Sequence, residues 1–152
     1  MKKAKPLSQV KPFILTTVIL LSSLSTSVFA DIMPRWYKPE NVTNGKKVYN
    51  QHCVVCHKAD LSGTREWSKK DASGRYPPPP LNGTAHTWHH SLKVLAQAIK
   101  YGGVPNGGWM PGFENKLSKE EIKDVIAWIQ SNWSEDTYQT WFNLSYGNKK
   151  NN

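Results

Sequence analysis

The sequence predicts an all-α fold for one small domain, and three observations support this. The chain has 152 residues, the length of one domain with at most an appendage. Apolar residues recur at helical spacing between residues 118 and 133, whereas no alternation typical of a strand reaches a useful length. Two cysteines and seven tryptophans exclude a disulfide-rich miniprotein and a disordered chain.

The first 30 residues are expected to be a cleaved signal peptide. Four lysines and no acidic residue accompany an apolar stretch from Phe13 to Leu24, and small residues follow up to Ala30. A retained membrane anchor is the less favoured interpretation, because a spanning helix needs about 20 apolar residues. The signal peptide would direct the chain to a bacterial periplasm and be cleaved near Ala30. The mature protein would then have no membrane span, and its net charge would fall from +9 to +5. The remaining charge contains no Lys or Arg run longer than two residues, which disfavours a nucleic-acid partner.

The first helix is predicted at residues 41–52, after an irregular lead-in at residues 31–40 that contains two prolines. Asn41 can cap this helix. Gly45 lies inside it, at a cost of about 1 kcal/mol relative to alanine. Close approach of another helix would explain why this glycine is tolerated.

A polar loop is expected from residue 61 to residue 80. It ends in four consecutive prolines, which exclude a helix or a central strand. A second helix is predicted from Ser91 to Tyr101, with Gly102 as its stop. Residues 102–112 contain five glycines and two prolines, a density that excludes regular structure. This loop therefore needs another reason to be ordered.

The clearest helix signal starts at Ser118 and continues to Trp133. Ser118 and Glu121 form a capping box, and Leu117 and Ile122 form a hydrophobic staple. The predicted domain therefore spans residues 41–133. Residues 134–152 form an aromatic C-terminal extension, with a short helix over 134–146 and a frayed end.

Residues 53–57 form a Cys-x-x-Cys-His motif. Two thiols at this spacing can each add to one vinyl group of the same haem, and the adjacent imidazole can then bind iron axially. The motif indicates one covalent haem c, with Cys53 and Cys56 as thioethers and His57 as an iron ligand.

Three other interpretations of these residues stay open. A thiol redox site of the Cys-x-x-Cys type requires a strand–helix unit, and no strand is predicted. A zinc site requires four ligands, so His52 or other histidines would have to join the two cysteines. A disulfide between Cys53 and Cys56 would close so small a ring that it stabilises little.

Met110 is predicted to be the second axial ligand. It lies in the glycine-rich loop, which an iron–sulfur bond would order. The alternative for this residue is a methionine that fills a gap in the core. Its rivals are His86, His89 and His90, although exposure or hydrogen bonding is the more usual role for such histidines. Met33, in the lead-in, is a poor candidate.

These residues together resemble the class I cytochrome c family over residues 40–133. The resemblance implies an all-α class I cytochrome c fold, with short helices packed around one covalently attached haem. Two features depart from small family members, namely the long stretch between His57 and Pro79 and the tail after Trp133. The elements that carry the resemblance occur in the family's order: Gly45-x-x-x-Tyr49, Cys53-x-x-Cys56-His57, Pro79-x-Leu81-x-Gly83, Met110-Pro111, and Val125 with Trp128.

The resemblance also implies roles for particular residues. The Pro79 carbonyl would accept a hydrogen bond from the His57 ring and so fix its tautomer. Leu81 would pack on the haem face. Trp88 would donate its indole N–H to a haem propionate, with simple packing as an equal alternative. The expected helix crossing would bring together Gly45, Tyr49, Val125 and Trp128.

The predicted function is one-electron transport between a donor and an acceptor redox protein, not enzymatic catalysis. Iron that holds both His57 and Met110 has no free position for a substrate, and exposed lysines such as Lys58 could dock acidic partners. The alternatives are a haem enzyme or gas-binding sensor with a labile sixth ligand, a cytochrome subunit of a larger respiratory complex, and a metal-binding or thiol-redox module without haem.

Overall fold

A computed structural model describes residues 34–147, which contain five α-helices and two short 3-10 helices. This part of the chain has no strand, only an isolated parallel bridge between Tyr76 and Gly108, so the all-α prediction is confirmed. The predicted signal peptide, Met33 and the end that was predicted to be frayed lie outside the described residues. The helices are α1 (Pro39–His52), α2 (Val54–His57), α3 (Leu92–Tyr101), α4 (Lys119–Ser131) and α5 (Glu135–Tyr146), with the 3-10 helices at His86–His89 and Val104–Asn106.

Helices α1 and α4 form the main helix pair. The capping box predicted at Ser118 and Glu121 is present at the start of α4. Val125 and Ile126 of α4 are fully buried, and Tyr49 of α1 is 1% exposed. A Cβ at Gly45 would lie 1.9 Å from the Asp124 carbonyl oxygen, so only glycine allows the two helices to approach this closely. The predicted crossing is confirmed.

The predicted start of α1 at Asn41 is wrong, because the helix begins at Pro39 with Lys38 as its N-cap. Proline suits the first helical position, where its missing N–H has no partner to lose. Asn41 acts from the third position instead, since its Oδ1 accepts a hydrogen bond of 2.8 Å from the Lys38 amide. Its Nδ2 donates to Asp124 Oδ1 at 2.7 Å, which ties the start of α1 to α4.

The end of α4 also differs from the prediction. The helix stops at Ser131, where the side chains of Ser131 and Asn132 both donate to the Trp128 carbonyl at 2.7 Å. Trp133, expected as the last helical residue, is nevertheless 5% exposed. Its indole N–H donates to the Leu81 carbonyl at 2.8 Å, and so it fixes the chain beyond the proline run.

Helices α3 and α5 agree with the prediction, whereas α2 and the two 3-10 helices were not predicted. Helix α3 is capped by Ser91 and ends at Gly102, and α5 forms within the aromatic extension. Residues 102–112 were expected to lack regular structure, but Val104–Asn106 form a 3-10 helix. Proline fits this turn because it occupies one of the first helical positions. No helix in the described part of the chain is long and apolar enough to cross a membrane.

Candidate functional site

The Cys-x-x-Cys-His motif forms a tight turn directly after α1. Cys53 ends α1, with its amide donating to the Tyr49 carbonyl at 2.9 Å, and also begins α2. Cys53 is half-buried, Cys56 is exposed, and both thiols are free. Val55, between them, is 89% exposed. The turn therefore places one half-buried and one exposed thiol, neither of them paired, beside a buried histidine.

His57, the last residue of α2, is held by the proline run. Its side chain is buried, and its Nδ1 lies 2.9 Å from the Pro79 carbonyl oxygen. A carbonyl can only accept, so Nδ1 carries the proton and donates. The predicted contact between His57 and Pro79 is present. The remaining nitrogen, Nε2, is left unprotonated and is the atom available to a metal ion.

Gly63 makes the contact between His57 and Pro79 possible, and the sequence interpretation missed it. Gly63 has φ of +57°, and a Cβ there would lie 2.5 Å from the Pro79 carbonyl oxygen. Its amide donates to the His57 carbonyl at 3.2 Å. The glycine therefore lets the proline run approach His57 from one side. The one feature of the sequence that could have indicated this role is an isolated glycine shortly after the Cys-x-x-Cys-His motif.

Two further contacts fix the turn after His57. Lys58 has φ of +64°, and its carbonyl accepts a hydrogen bond of 2.7 Å from the Tyr49 hydroxyl. The Leu81 amide donates to the Leu61 carbonyl at 2.8 Å. The attachment turn is thus bound both to α1 and to the segment after the prolines.

Burial sets the protonation of both His57 and Cys53. Desolvation lowers the pKa of His57, and the hydrogen bond to Pro79 opposes that shift. Burial, and then the neighbouring Cys56, raises the pKa of Cys53 to about 11. The imidazole is therefore neutral at neutral pH, as a metal ligand must be, while the Cys53 thiol stays protonated. A redox-active Cys-x-x-Cys pair has the opposite property, a lowered thiol pKa.

Met110 lies in a loop that is closed by its own backbone. The Gly103 amide donates to the Met110 carbonyl at 2.9 Å, and the Gly108 amide donates to the Gly103 carbonyl at 3.0 Å. Gly102, with φ of +82°, has no room for a side chain because a Cβ would lie 2.6 Å from the Met110 carbonyl oxygen. Met110 is partly buried and packs against the main core.

Leu81 and Trp88, the other predicted haem-environment residues, are likewise partly buried against the same core. Trp88 stacks on His89 with ring centroids 3.6 Å apart. The predicted rival ligands contact aromatic rings. His86 stacks on Trp67 with ring centroids 4.6 Å apart, and His86 and His90 form a T-shaped pair with ring centroids 5.4 Å apart.

The residues at this site fit a covalently attached haem. Cys53 and Cys56 are free to form thioethers, and His57 offers one oriented nitrogen to iron. The other interpretations gain no such support. Among residues 34–147 there is no strand for a thioredoxin-like unit, and no group of three or more His, Cys, Asp or Glu side chains that could hold a metal ion.

Comparison with known families agrees with this geometry. The family described as Cytochrome c matches residues 42–133, from the first turns of α1 to the buried Trp133. The chain belongs to the cytochrome c family. Its members carry covalent haem c and transfer electrons, and the predicted fold, haem cofactor and electron-transport role are confirmed at that level.

A solved structure supports the fold. Cytochrome cL from the methylotroph Methylophaga aminisulfidivorans MPT has a TM-score of 0.50 and 21% sequence identity to this chain. The match covers 68% of this chain and 61% of that protein. At this identity the likeness concerns the fold alone.

Curated relatives are larger redox proteins. The cytochrome c subunit of a quinone alcohol dehydrogenase from Gluconobacter oxydans (strain 621H) is 28% identical over 99 residues, which are 60% of this chain and 19% of that subunit. Thiosulfate dehydrogenase from Allochromatium vinosum is 36% identical over 93 residues, which are 60% of this chain and 31% of that enzyme. The matched region thus spans less than a third of each relative.

Proposed function

We propose that this chain is a one-electron carrier with one haem c, whose iron is bound by His57 and Met110. The haem, when bound, supplies the ferrous–ferric couple. The observation that carries the proposal is the hydrogen bond from His57 to Pro79, because it leaves Nε2 as the only free imidazole nitrogen, next to two free thiols. The partly buried thioether of Met110 is the soft donor suited to the second axial position.

The chain's own residues would favour rapid electron exchange. The Pro79 carbonyl fixes the orientation of the His57 ring, and backbone hydrogen bonds hold the loop of Met110. Ligands that stay in place in both oxidation states need little rearrangement when an electron arrives. A thioether ligand also favours the reduced state and raises the potential.

We assign this carrier to the bacterial periplasm, with the first 30 residues removed. The basic start, the short apolar stretch and Ala30 support export, and covalent haem attachment suits an exported protein. The N-terminal sequence of the secreted protein should begin at Asp31.

The names of the relatives favour a dehydrogenase as the source of the electrons.

The ligand assignment is tested by the near-infrared absorption spectrum of the oxidised protein, because a sulfur–iron bond gives ferric haem proteins a weak band in this region. We expect the oxidised wild-type protein to show this band, and Met110→Ala to lose it and to have a lower potential. Met33→Ala, which alters a methionine of the lead-in, should keep both. A band that survives in Met110→Ala would remove Met110 from this role. Rapid carbon monoxide binding by the reduced wild-type protein would favour the open-site alternative instead.

A further inference from the structure

The long stretch between His57 and Pro79 is joined to the Met110 loop through Tyr76. The Tyr76 amide donates a hydrogen bond of 2.9 Å to the Gly107 carbonyl, and Tyr76 pairs with Gly108 as an isolated parallel bridge. The Tyr76 ring also lies beside the loop, since a Cβ at Gly107 would be 3.7 Å from its Cδ2. Gly108 is only two residues from Met110, so this contact supports the tip of the methionine loop.

Tyr76 is itself held from both sides. Before it, the Asp71 side chain accepts hydrogen bonds from the amides of Ser73 and Arg75, while the Asp71 amide donates to the Arg75 carbonyl at 2.9 Å. After it come four prolines, whose fixed φ angles make the segment stiff. The Thr64 amide donates to the Pro78 carbonyl at 2.8 Å and anchors that segment.

The same short segment therefore contacts the supports of both proposed iron ligands. Pro79 holds the ring of His57, and Tyr76, three residues earlier, holds the loop of Met110. We propose that Tyr76 is a positioning residue for Met110, and that its backbone amide slows the opening of the methionine loop. This inference rests on the proposed ligation of iron by Met110, and it gives the segment between His57 and Pro79 a function.

The test measures how fast added imidazole displaces the thioether from the ferric holoprotein, followed by loss of the near-infrared band. At saturating imidazole the rate equals the rate at which the Met110 loop opens, because the incoming ligand can bind only after the thioether leaves. Tyr76→Pro removes the amide donor and should raise this limiting rate by about fivefold, the value of one typical hydrogen bond. Tyr76→Ala keeps the amide and should raise the rate less.

Ala72→Pro is the matched control. Ala72 is the second residue of the turn closed by the hydrogen bond from the Gly74 amide to the Asp71 carbonyl, a position that proline favours. This variant adds a proline to the same segment and leaves the Tyr76 amide intact, so its limiting rate should equal that of the wild-type protein. Equal rates for Tyr76→Pro and the wild-type protein would overturn the role of Tyr76 and leave Met110 ligation standing. A wild-type protein without the near-infrared band would overturn the ligation, and this inference with it.

Hydrogen exchange on the wild-type holoprotein tests the same role if Tyr76→Pro does not yield a folded protein. The Tyr76 amide should be protected, and its exchange should become at least about tenfold faster when imidazole occupies the iron and the loop is released. An amide that exchanges at the same rate with and without imidazole would overturn the inference.

Discussion

Gly45 of α1 lies directly against the Asp124 carbonyl of α4, with no space for a side chain between them. A Cβ at Gly45 would be 1.9 Å from that oxygen and 2.9 Å from the Trp128 Cβ. The Asp124 oxygen belongs to the helix backbone, so it cannot rotate out of contact as a side-chain atom could. The contact between the two main helices at this position therefore depends on the absence of one methyl group.

Gly45→Ala should destabilise the holoprotein by about 2 kcal/mol or more, since the two helices must separate to admit the methyl group. The gain in helix propensity, about 1 kcal/mol, offsets only part of this cost. The measurement is equilibrium unfolding in denaturant. Asn44→Ala, at the exposed neighbouring position, should change the free energy of unfolding by no more than about 0.5 kcal/mol. Equal stabilities of Gly45→Ala and the wild-type protein would show that the helices do not cross here.

Gly63→Ala should alter the redox potential as well as the stability. The new Cβ would lie 2.5 Å from the Pro79 carbonyl, so it should push that carbonyl away from the His57 ring and weaken their hydrogen bond. A less basic imidazole stabilises ferric iron less, so the potential should rise.

Gly74→Ala is the control for Gly63→Ala. Gly74 also has a positive φ, of +77°, but no atom lies within 4 Å of a Cβ at that position. Both variants should lose about 1 kcal/mol of stability or more to backbone strain, whereas only Gly63→Ala should shift the potential in a redox titration. An equal shift in both variants, or none in either, would contradict the role of Gly63.

Trp141→Phe should weaken the attachment of the aromatic extension. Trp141 is fully buried in α5, and its indole N–H donates to the His90 carbonyl at 2.9 Å. The variant leaves that carbonyl without its partner, at an expected cost of about 1–3 kcal/mol in thermal or denaturant unfolding. Leu144→Ala, at an exposed position of the same helix, should cost no more than about 0.5 kcal/mol. A smaller loss in Trp141→Phe than in Leu144→Ala would argue against a structural role for the extension.

The stability of the protein should fall as the pH drops through the normal range of histidine. The His86 side chain is partly exposed but loses some of its hydration, and this partial desolvation lowers its pKa; repulsion from His90 and His89 lowers it further. At a pH above the pKa that His86 has in the unfolded protein, His86 is unprotonated in both the folded and the unfolded state. In that range it does not make the free energy of unfolding depend on pH. Below that pKa the unfolded state binds more protons, so stability decreases until the folded pKa is reached.

His86→Phe should reduce this pH dependence, because it keeps an aromatic ring to stack on Trp67 and removes the titrating group. The measurement is the free energy of unfolding of the wild-type and variant proteins between about pH 7.5 and pH 5, the range around the ordinary histidine pKa. Parallel curves for the two proteins would show that His86 does not contribute.

The sequence predicted the features that depend on short-range patterns. The capping box at Ser118 and the stop at Gly102 each follow from one or two residue types at fixed spacing, and the structure contains both. Gly45 inside a helix indicated the close approach of another helix, but the resemblance to cytochromes c was needed to expect the crossing with Val125 and Trp128. The start of α1 was misplaced because Pro39 is compatible with either a lead-in or a first helical turn.

Contacts between distant residues were harder to predict. The hydrogen bonds from Tyr76 to Gly107 and from Trp141 to His90 join segments 31 and 51 residues apart, and neither has a local signature. The support of Pro79 by Gly63 depends on a close backbone approach, which appears in the sequence only as a glycine in a polar loop. The contact between His57 and Pro79 was expected solely from the resemblance to cytochromes c.

The most direct test of the account is the mass of the peptide spanning residues 47–58, taken from protein secreted by a host that can attach haem to cytochromes. Wild-type protein should yield this peptide with the mass of one haem added, and the double variant Cys53→Ser, Cys56→Ser should yield it without haem. A wild-type peptide that carries no tetrapyrrole would contradict the proposal that these two thiols hold a haem next to His57.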